Sequence, residues 1–201
     1  MNRQLQPLQD IAEIINGVFV STSSLEESDE SVLVLSVRSL TGASVDVTQI
    51  DQAEVSHEDL KRCRVHPGDV LISSRSTSIS TGIVPAGIGD AVLNSTLIGI
   101  RLKQGTIHPR LLVAWLQSGL GQSHFESISQ STTRQMNVTV KELRTLPVPI
   151  FTAQEQAAML SVLETSDIAF NAAITAAEIR RSVALQMVTD VLIGRTKINN
   201  G

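Results

Sequence analysis

From Thr152 to Ile193 the chain runs for 42 residues without a proline or a glycine, and alanine recurs throughout. No other feature restricts the fold as strongly. With both helix breakers absent, the segment is predicted to be one unbroken helix about 63 Å long. Thr152 is placed to N-cap it, Glu155 completes a reciprocal capping box, and Gly194 stops it. Leu160, Leu163, Phe170, Ile174, Ala177, Ala184, Val188 and Val191 follow alternating steps of three and four, interrupted by Asp167 and Arg181. That spacing is a coiled-coil seam. A second stripe, running from Met159 and Val162 to Val183 and Met187, lies beside it. Two adjoining apolar seams cannot both face water, so the helix is expected to pack against another long helix. The rest of the chain offers none, which makes a second copy the simplest source.

The residues before the helix have another grammar. SVLVLSVRSL (31–40) alternates apolar and polar residues and reads as a strand, as do DVLIS (69–73) and AVLNSTLIGIRL (91–102). VDVTQI is a possible continuation of the sheet, and residues 10–20 a short helix or strand entry broken at Gly17. HEDLKR (57–62) suggests a short helix, HPGD (66–69) a turn, and SSLEESDE (23–30) an acidic loop. HPRLLVAWLQSGL (108–120) has helical spacing, with Gly119 and Gly121 where a C-cap is expected. Residues 122–137 read as a polar loop, after which Pro147 and Pro149 enforce an extended exit. The expected architecture is an α/β (α+β) globular domain over 1–151, a long helix over 152–195 that pairs in a dimeric coiled coil, and a disordered tail over 196–201.

The net charge of −4 conceals a gradient: residues 1–60 carry −9, residues 61–150 carry +6, and residues 151–201 carry −1. A basic middle segment beside an acidic start suggests faces for different partners. Aromatic residues make up only 2%, which argues against a single-strand binder that stacks bases on aromatic platforms. One cysteine, Cys63, and four scattered histidines leave no disulfide framework and no metal-ligand spacing. The N-terminus lacks the apolar region of a secretory signal, and no apolar run approaches a membrane span, so a cytoplasmic protein is expected.

The basic segment contains two clusters of hydroxyl and amide side chains, each around one arginine. Ser73, Ser74, Arg75, Ser76, Thr77, Ser78 and Thr81 follow a strand, while Gln130, Thr132, Thr133, Arg134, Gln135 and Asn137 form the second. Direct readout of a DNA groove needs such groups: arginine grips guanine O6 and N7, and asparagine or glutamine does the same for adenine. Lys61, Arg62 and Arg64 precede the first cluster and are candidate phosphate contacts. Catalysis finds little footing. There is no Gly-rich phosphate loop ending in Lys-Ser or Lys-Thr, and no adenine-holding methyltransferase motif. Ser74 or Ser95 as a nucleophile would need a histidine and an orienting acid.

Four stretches together resemble the specificity (S) subunit of type I restriction-modification systems. They are HPGDVLISSRST, NSTLIGIRL, HPRLLVAWLQS and RQMNVTVKELRTLPVPIFTAQEQAAML, and the resemblance covers roughly residues 5–195. Family members usually carry two target-recognition domains and two long helices; this chain has one of each. The resemblance implies a non-catalytic subunit that binds double-stranded DNA. It also implies docking to a DNA methyltransferase (M) subunit, and in some systems a restriction (R) subunit, with S-adenosylmethionine held by the methyltransferase. With one recognition domain, the expected working form is a homodimer reading a bipartite palindrome. Two alternatives remain open: a coiled-coil adaptor that binds methyltransferase subunits without reading DNA, and an independent hydrolase using the serine-rich loop.

Overall fold

The computed structural model describes residues 4–20, 31–76, 79–128, 130–133 and 135–195. The acidic loop at 23–30, Thr77, Ser78, Arg134 and the tail at 196–201 therefore lie outside the described residues. The chain opens with Leu5–Pro7 (β1), Leu8–Ile11 (α1) and Ala12–Asn16 (β2). Val32–Leu35 (β3), Leu40–Thr41 (β4), Ser44–Val45 (β5) and Asp51–Ala53 (β6) follow, with short 3-10 turns at Val37–Ser39 and Val47–Gln49. His57–Cys63 (α2) leads to Val70–Ser73 (β7), Arg75–Ser76 (β8), Thr81–Ile83 (β9), Ala91–Leu93 (β10) and Leu97–Leu102 (β11). Pro109–Gln117 (α3), Gly119–Ile128 (α4), Gln130–Thr133 (β12), Gln135–Asn137 (β13), Val140–Leu143 (α5) and Pro147–Pro149 (β14) complete the domain, before Ala153–Leu192 (α6). This is a mixed α/β domain followed by a long C-terminal helix.

A six-stranded sheet with order β2-β11-β7-β9-β5-β4 forms the main layer, and a second sheet with order β10-β3-β6 packs the core beside it. Leu35, Leu71, Val92, Leu93 and Leu97 belong to one buried apolar cluster, each 0% exposed or nearly so. β7 is buried at every position, as its continuous apolar run requires. Across the sheet, Arg101 on β11 donates from Nε and Nη2 to the carboxylate of Asp69, at 3.0 and 2.8 Å. Asp69 also accepts from the His66 N–H, so this buried acid is fully employed at the entrance to β7.

Three sequence expectations need correction. The strand read over 31–40 stops at Leu35, because Ser39 donates through both its N–H and its hydroxyl to the Ser36 carbonyl and turns the chain. Gly121 is no C-cap: α4 continues to Ile128, and a Cβ at Gly121 would sit 1.9 Å from the Trp115 carbonyl oxygen. Glycine there lets α4 approach the end of α3. The polar stretch at 122–137 is therefore a helix followed by a two-stranded ribbon rather than a loop.

α6 begins with the expected capping box: the Thr152 N–H donates to Glu155 Oε2 at 2.8 Å, and the Glu155 N–H donates to Thr152 Oγ1 at 3.3 Å. Forty residues give it a length of about 60 Å, and Gly194 with φ +74° follows its end. No residue of α6 is buried; Phe170 is 64% exposed and Ile174 43%. The chain divides into two compact units, residues 1–156 and 157–201. Contrary to the sequence expectation, α6 is long and apolar enough by length and composition to cross a membrane, with an 18-residue window of mean hydropathy 1.2. Within it the longest stretch free of Asp, Glu, Lys and Arg is residues 168–177.

Candidate nucleic-acid interface

β7 ends at Ser73, and the chain then leaves the main sheet. The Ser74 N–H donates to the Thr96 carbonyl at 2.9 Å, and the Ser74 carbonyl accepts from the Val138 N–H at 3.0 Å. Arg75 and Ser76 form β8, the edge of a separate three-stranded sheet with order β12-β13-β8. Asn137 is in register with Arg75, and Met136 with Ser76. The two polar clusters, more than fifty residues apart in sequence, thus become one antiparallel ribbon. Ser76, Gln130, Thr132, Thr133 and Gln135 are placed on its strands by their backbones.

Beside the ribbon lies a cleft of about 850 Å³, whose lining includes Ser74, Arg75, Asn137, Asn16, Ser95 and Lys141. Its tightness depends on Gly17, where a Cβ would lie 2.0 Å from the Asn94 carbonyl oxygen. That contact lets the end of β2 meet the turn before β11, in which Asn94 Oδ1 accepts from the Thr96 N–H and the Ser95 N–H donates to Val18. Ser74 Oγ donates to the Ser95 carbonyl at 3.1 Å and ties the first cluster to this turn. On the other side, Thr139 caps α5 in a capping box with Glu142, which puts Lys141 on the first helical turn after the ribbon. Arg75 and Lys141 are both exposed, and no acid or histidine lines the cleft among the described residues. The site therefore offers two cations, amides and hydroxyls.

Three of the residues singled out from sequence, Ser74, Arg75 and Asn137, meet in the cleft. Ser73 does not: its side chain is 2% exposed and its hydroxyl accepts from the Ser80 N–H at 3.1 Å. Thr81 is also buried, donating to the Gly42 carbonyl and accepting from Gln117 Nε2 at 2.8 Å. Both hold the base of the first cluster instead of facing a partner. Lys61 and Arg62 lie on α2 and Arg64 follows it; none of the three lines the cleft. Arg62 pairs with Asp59 at 3.0 Å and Arg64 pairs with Asp90. These exposed pairs are weak and leave the cations accessible. Asn16 and Lys141 escaped the sequence reading, and Ser95 entered it only as a candidate nucleophile. The Thr139-x-x-Glu142 capping pattern was the available signal for Lys141, because it starts a helix directly behind Asn137.

The sequence profile of the type I restriction modification DNA specificity domain matches residues 4–180. A Methanocaldococcus jannaschii protein named as the type I restriction enzyme MjaX specificity subunit is 22% identical over 169 residues, covering 82% of this chain and 39% of its own length. Among solved structures, a chain from a study of type I R-M complex assembly and conformational transition superposes with TM-score 0.66 at 16% identity, over 96% of this chain and 45% of that one. The HsdS subunit from Thermoanaerobacter tengcongensis gives TM-score 0.60 at 18% identity, over 84% and 38%. The S subunit from M. genitalium gives 0.58 at 11%, over 94% and 46%. The structural likeness is one of fold, and this chain spans less than half the length of each of these relatives. With the profile matched across most of its residues, the chain belongs to the type I restriction modification DNA specificity domain family.

Proposed function

We propose that the chain is a non-catalytic DNA specificity subunit that reads duplex sequence through the β8–β13 ribbon and its cleft. The observation that carries this reading is the register pairing of Arg75 with Asn137, which unites both polar clusters beside two exposed cations. Arg75 would grip a guanine edge and Asn137 an adenine edge, with Ser74 and Ser95 as adaptable partners. Lys141 would hold a phosphate, and Lys61, Arg62 and Arg64 would extend the electrostatic footprint. Ser76, Thr77, Ser78, Gln130, Thr132, Thr133, Arg134 and Gln135 complete the proposed reading surface. The methyl transfer then belongs to a partner methyltransferase holding S-adenosylmethionine, with a restriction subunit recruited in some assemblies.

In this reading α6 pairs with α6 of a second copy. The positions of Asp167 and Arg181 within the seam favour an antiparallel pair. A parallel, in-register pair would stack Asp167 on Asp167 and Arg181 on Arg181, two like-charge contacts in an apolar seam. Antiparallel pairing centred near Ile174 instead brings each Asp167 within about a turn of the other copy's Arg181. A twofold dimer of identical readers sees the same bases on opposite strands, so the target is an interrupted palindrome. About 60 Å of helix against 3.4 Å per base pair leaves room for a spacer of several base pairs. The test is binding to duplex DNA across a salt series. Sequence-selective affinity that falls with salt supports the reading; absence of any duplex affinity would leave the adaptor alternative.

A further inference from the structure

Asn16 ends β2 and lines the cleft from outside the recognition ribbon. By composition the dipeptide Asn16-Gly17 is a turn signal, yet the chain makes no turn there. β2 stays paired through Asn16, which is in register with Ile98 of β11. Gly17 is not among the glycines with positive φ; its backbone is needed for the close approach to the Asn94 carbonyl. Asparagine is a poor strand residue, so local structure gives no reason for it at this position. Ile15 and Val18 are buried in the core on either side, while Asn16 itself is exposed.

Two asparagines meet at this corner, and their amides are employed differently. Asn94 is committed to its own turn, its Oδ1 accepting from the Thr96 N–H at 3.0 Å and from Ser95 Oγ at 3.4 Å. The Asn16 amide makes no hydrogen bond among the described residues. Its backbone cannot drift, because β11, to which it is paired, is itself paired with β7 on the other side. Gly17 adds a second restraint by pressing against the turn before β11. A carboxamide presents a donor beside an acceptor, the pair that adenine N7 and N6 complement in the major groove. Held on a packed sheet at the wall of a cleft with two cations, this amide is preorganised for a base edge.

We propose that Asn16 is a specificity-determining residue whose carboxamide reads one adenine through N6 and N7. Arg75 and Asn137 reach the cleft from β8 and β13 of the ribbon, whereas Asn16 reaches it from β2 of the main sheet. One amide saturates the major-groove edge of an adenine, so Asn16 and Asn137 read separate base pairs. The inference rests on the proposed DNA reading and adds to it a reader that neither polar cluster contains.

Binding of the full chain to duplexes it selects from a randomised pool tests this, with Arg75→Ala as the control for the reading itself. Asn16→Ala removes no bond within the domain, so its melting should stay unchanged. Affinity for the selected duplex should fall about five- to hundredfold, with preference relaxed at one A·T pair. Asn16→Asp exchanges the donor for a second acceptor, the group that cytosine N4 complements. The preferred pair at that position, read as a ratio between duplexes, should change from A·T to C·G. Replacing each adenine of the selected site in turn by 7-deaza-adenine locates the contact. At one position the replacement should weaken the parent but leave the Asn16→Ala protein unaffected. Unchanged specificity in Asn16→Ala overturns the assignment, and so does an equal loss on every duplex, which marks a phosphate contact. If Arg75→Ala still relaxes its own position in the same assay, the DNA reading outlives that failure. A parent that selects no sequence overturns both.

Discussion

Leu112 and Phe170 are both large apolar side chains on helices, yet Leu112 is 0% exposed and Phe170 is 64% exposed. The difference separates two ways of meeting the same hydrophobic demand. α3 buries its apolar face within the domain, whereas α6 buries no residue and carries its seams out to solvent over most of its length beyond Leu163. The domain can therefore be stable by itself, but the helix needs a surface that the described chain does not supply. The proposed function assigns recognition to the self-sufficient unit and assembly to the unsatisfied one.

The largest expected effect breaks the helix side of this contrast. Phe170→Glu with Ile174→Glu would bury carboxylates in the paired seam at a cost of several kcal/mol each. Light scattering should report monomers, while the melting of the domain stays unchanged. Leu112→Ala acts on the other side and should destabilise the domain by about 2–5 kcal/mol. Its cost, read from urea unfolding of the domain, should not depend on protein concentration, unlike the melting of a paired helix. Arg75→Ala should lose about 1–3 kcal/mol of binding and relax specificity at one base position; a uniform loss across sequences would make Arg75 a phosphate contact. Lys141→Ala should be the mildest, weakening all duplexes alike and lowering the salt slope by about one.

The helix and its capping box were legible in sequence because they rest on local rules: no breakers over 152–193, and Thr152 spaced three residues from Glu155. β7 and α2 were legible for the same reason. The ribbon was not, because residues 130–137 show no apolar alternation. Their strand state depends on backbone pairing with β8, far away in sequence. α4 was missed because glycine usually ends a helix, whereas Gly121 is there to clear the Trp115 carbonyl. Of the candidate site, Arg75, Ser74 and Asn137 came from side-chain chemistry alone. Ser73 ends strand β7 as the sequence reading had it, and its burial there is set by packing that the sequence pattern does not show. Asn16, Ser95 and Lys141 belong to segments that only the fold brings to the cleft.

The account depends most on identical readers joined by identical helices. Selection of bound sequences from a randomised duplex pool, using this chain as the only specificity component, tests that directly. The predicted result is one interrupted palindrome: the same bases on opposite strands, separated by a fixed, unread spacer. An asymmetric site, or recovery of no preferred sequence at low salt, would contradict it.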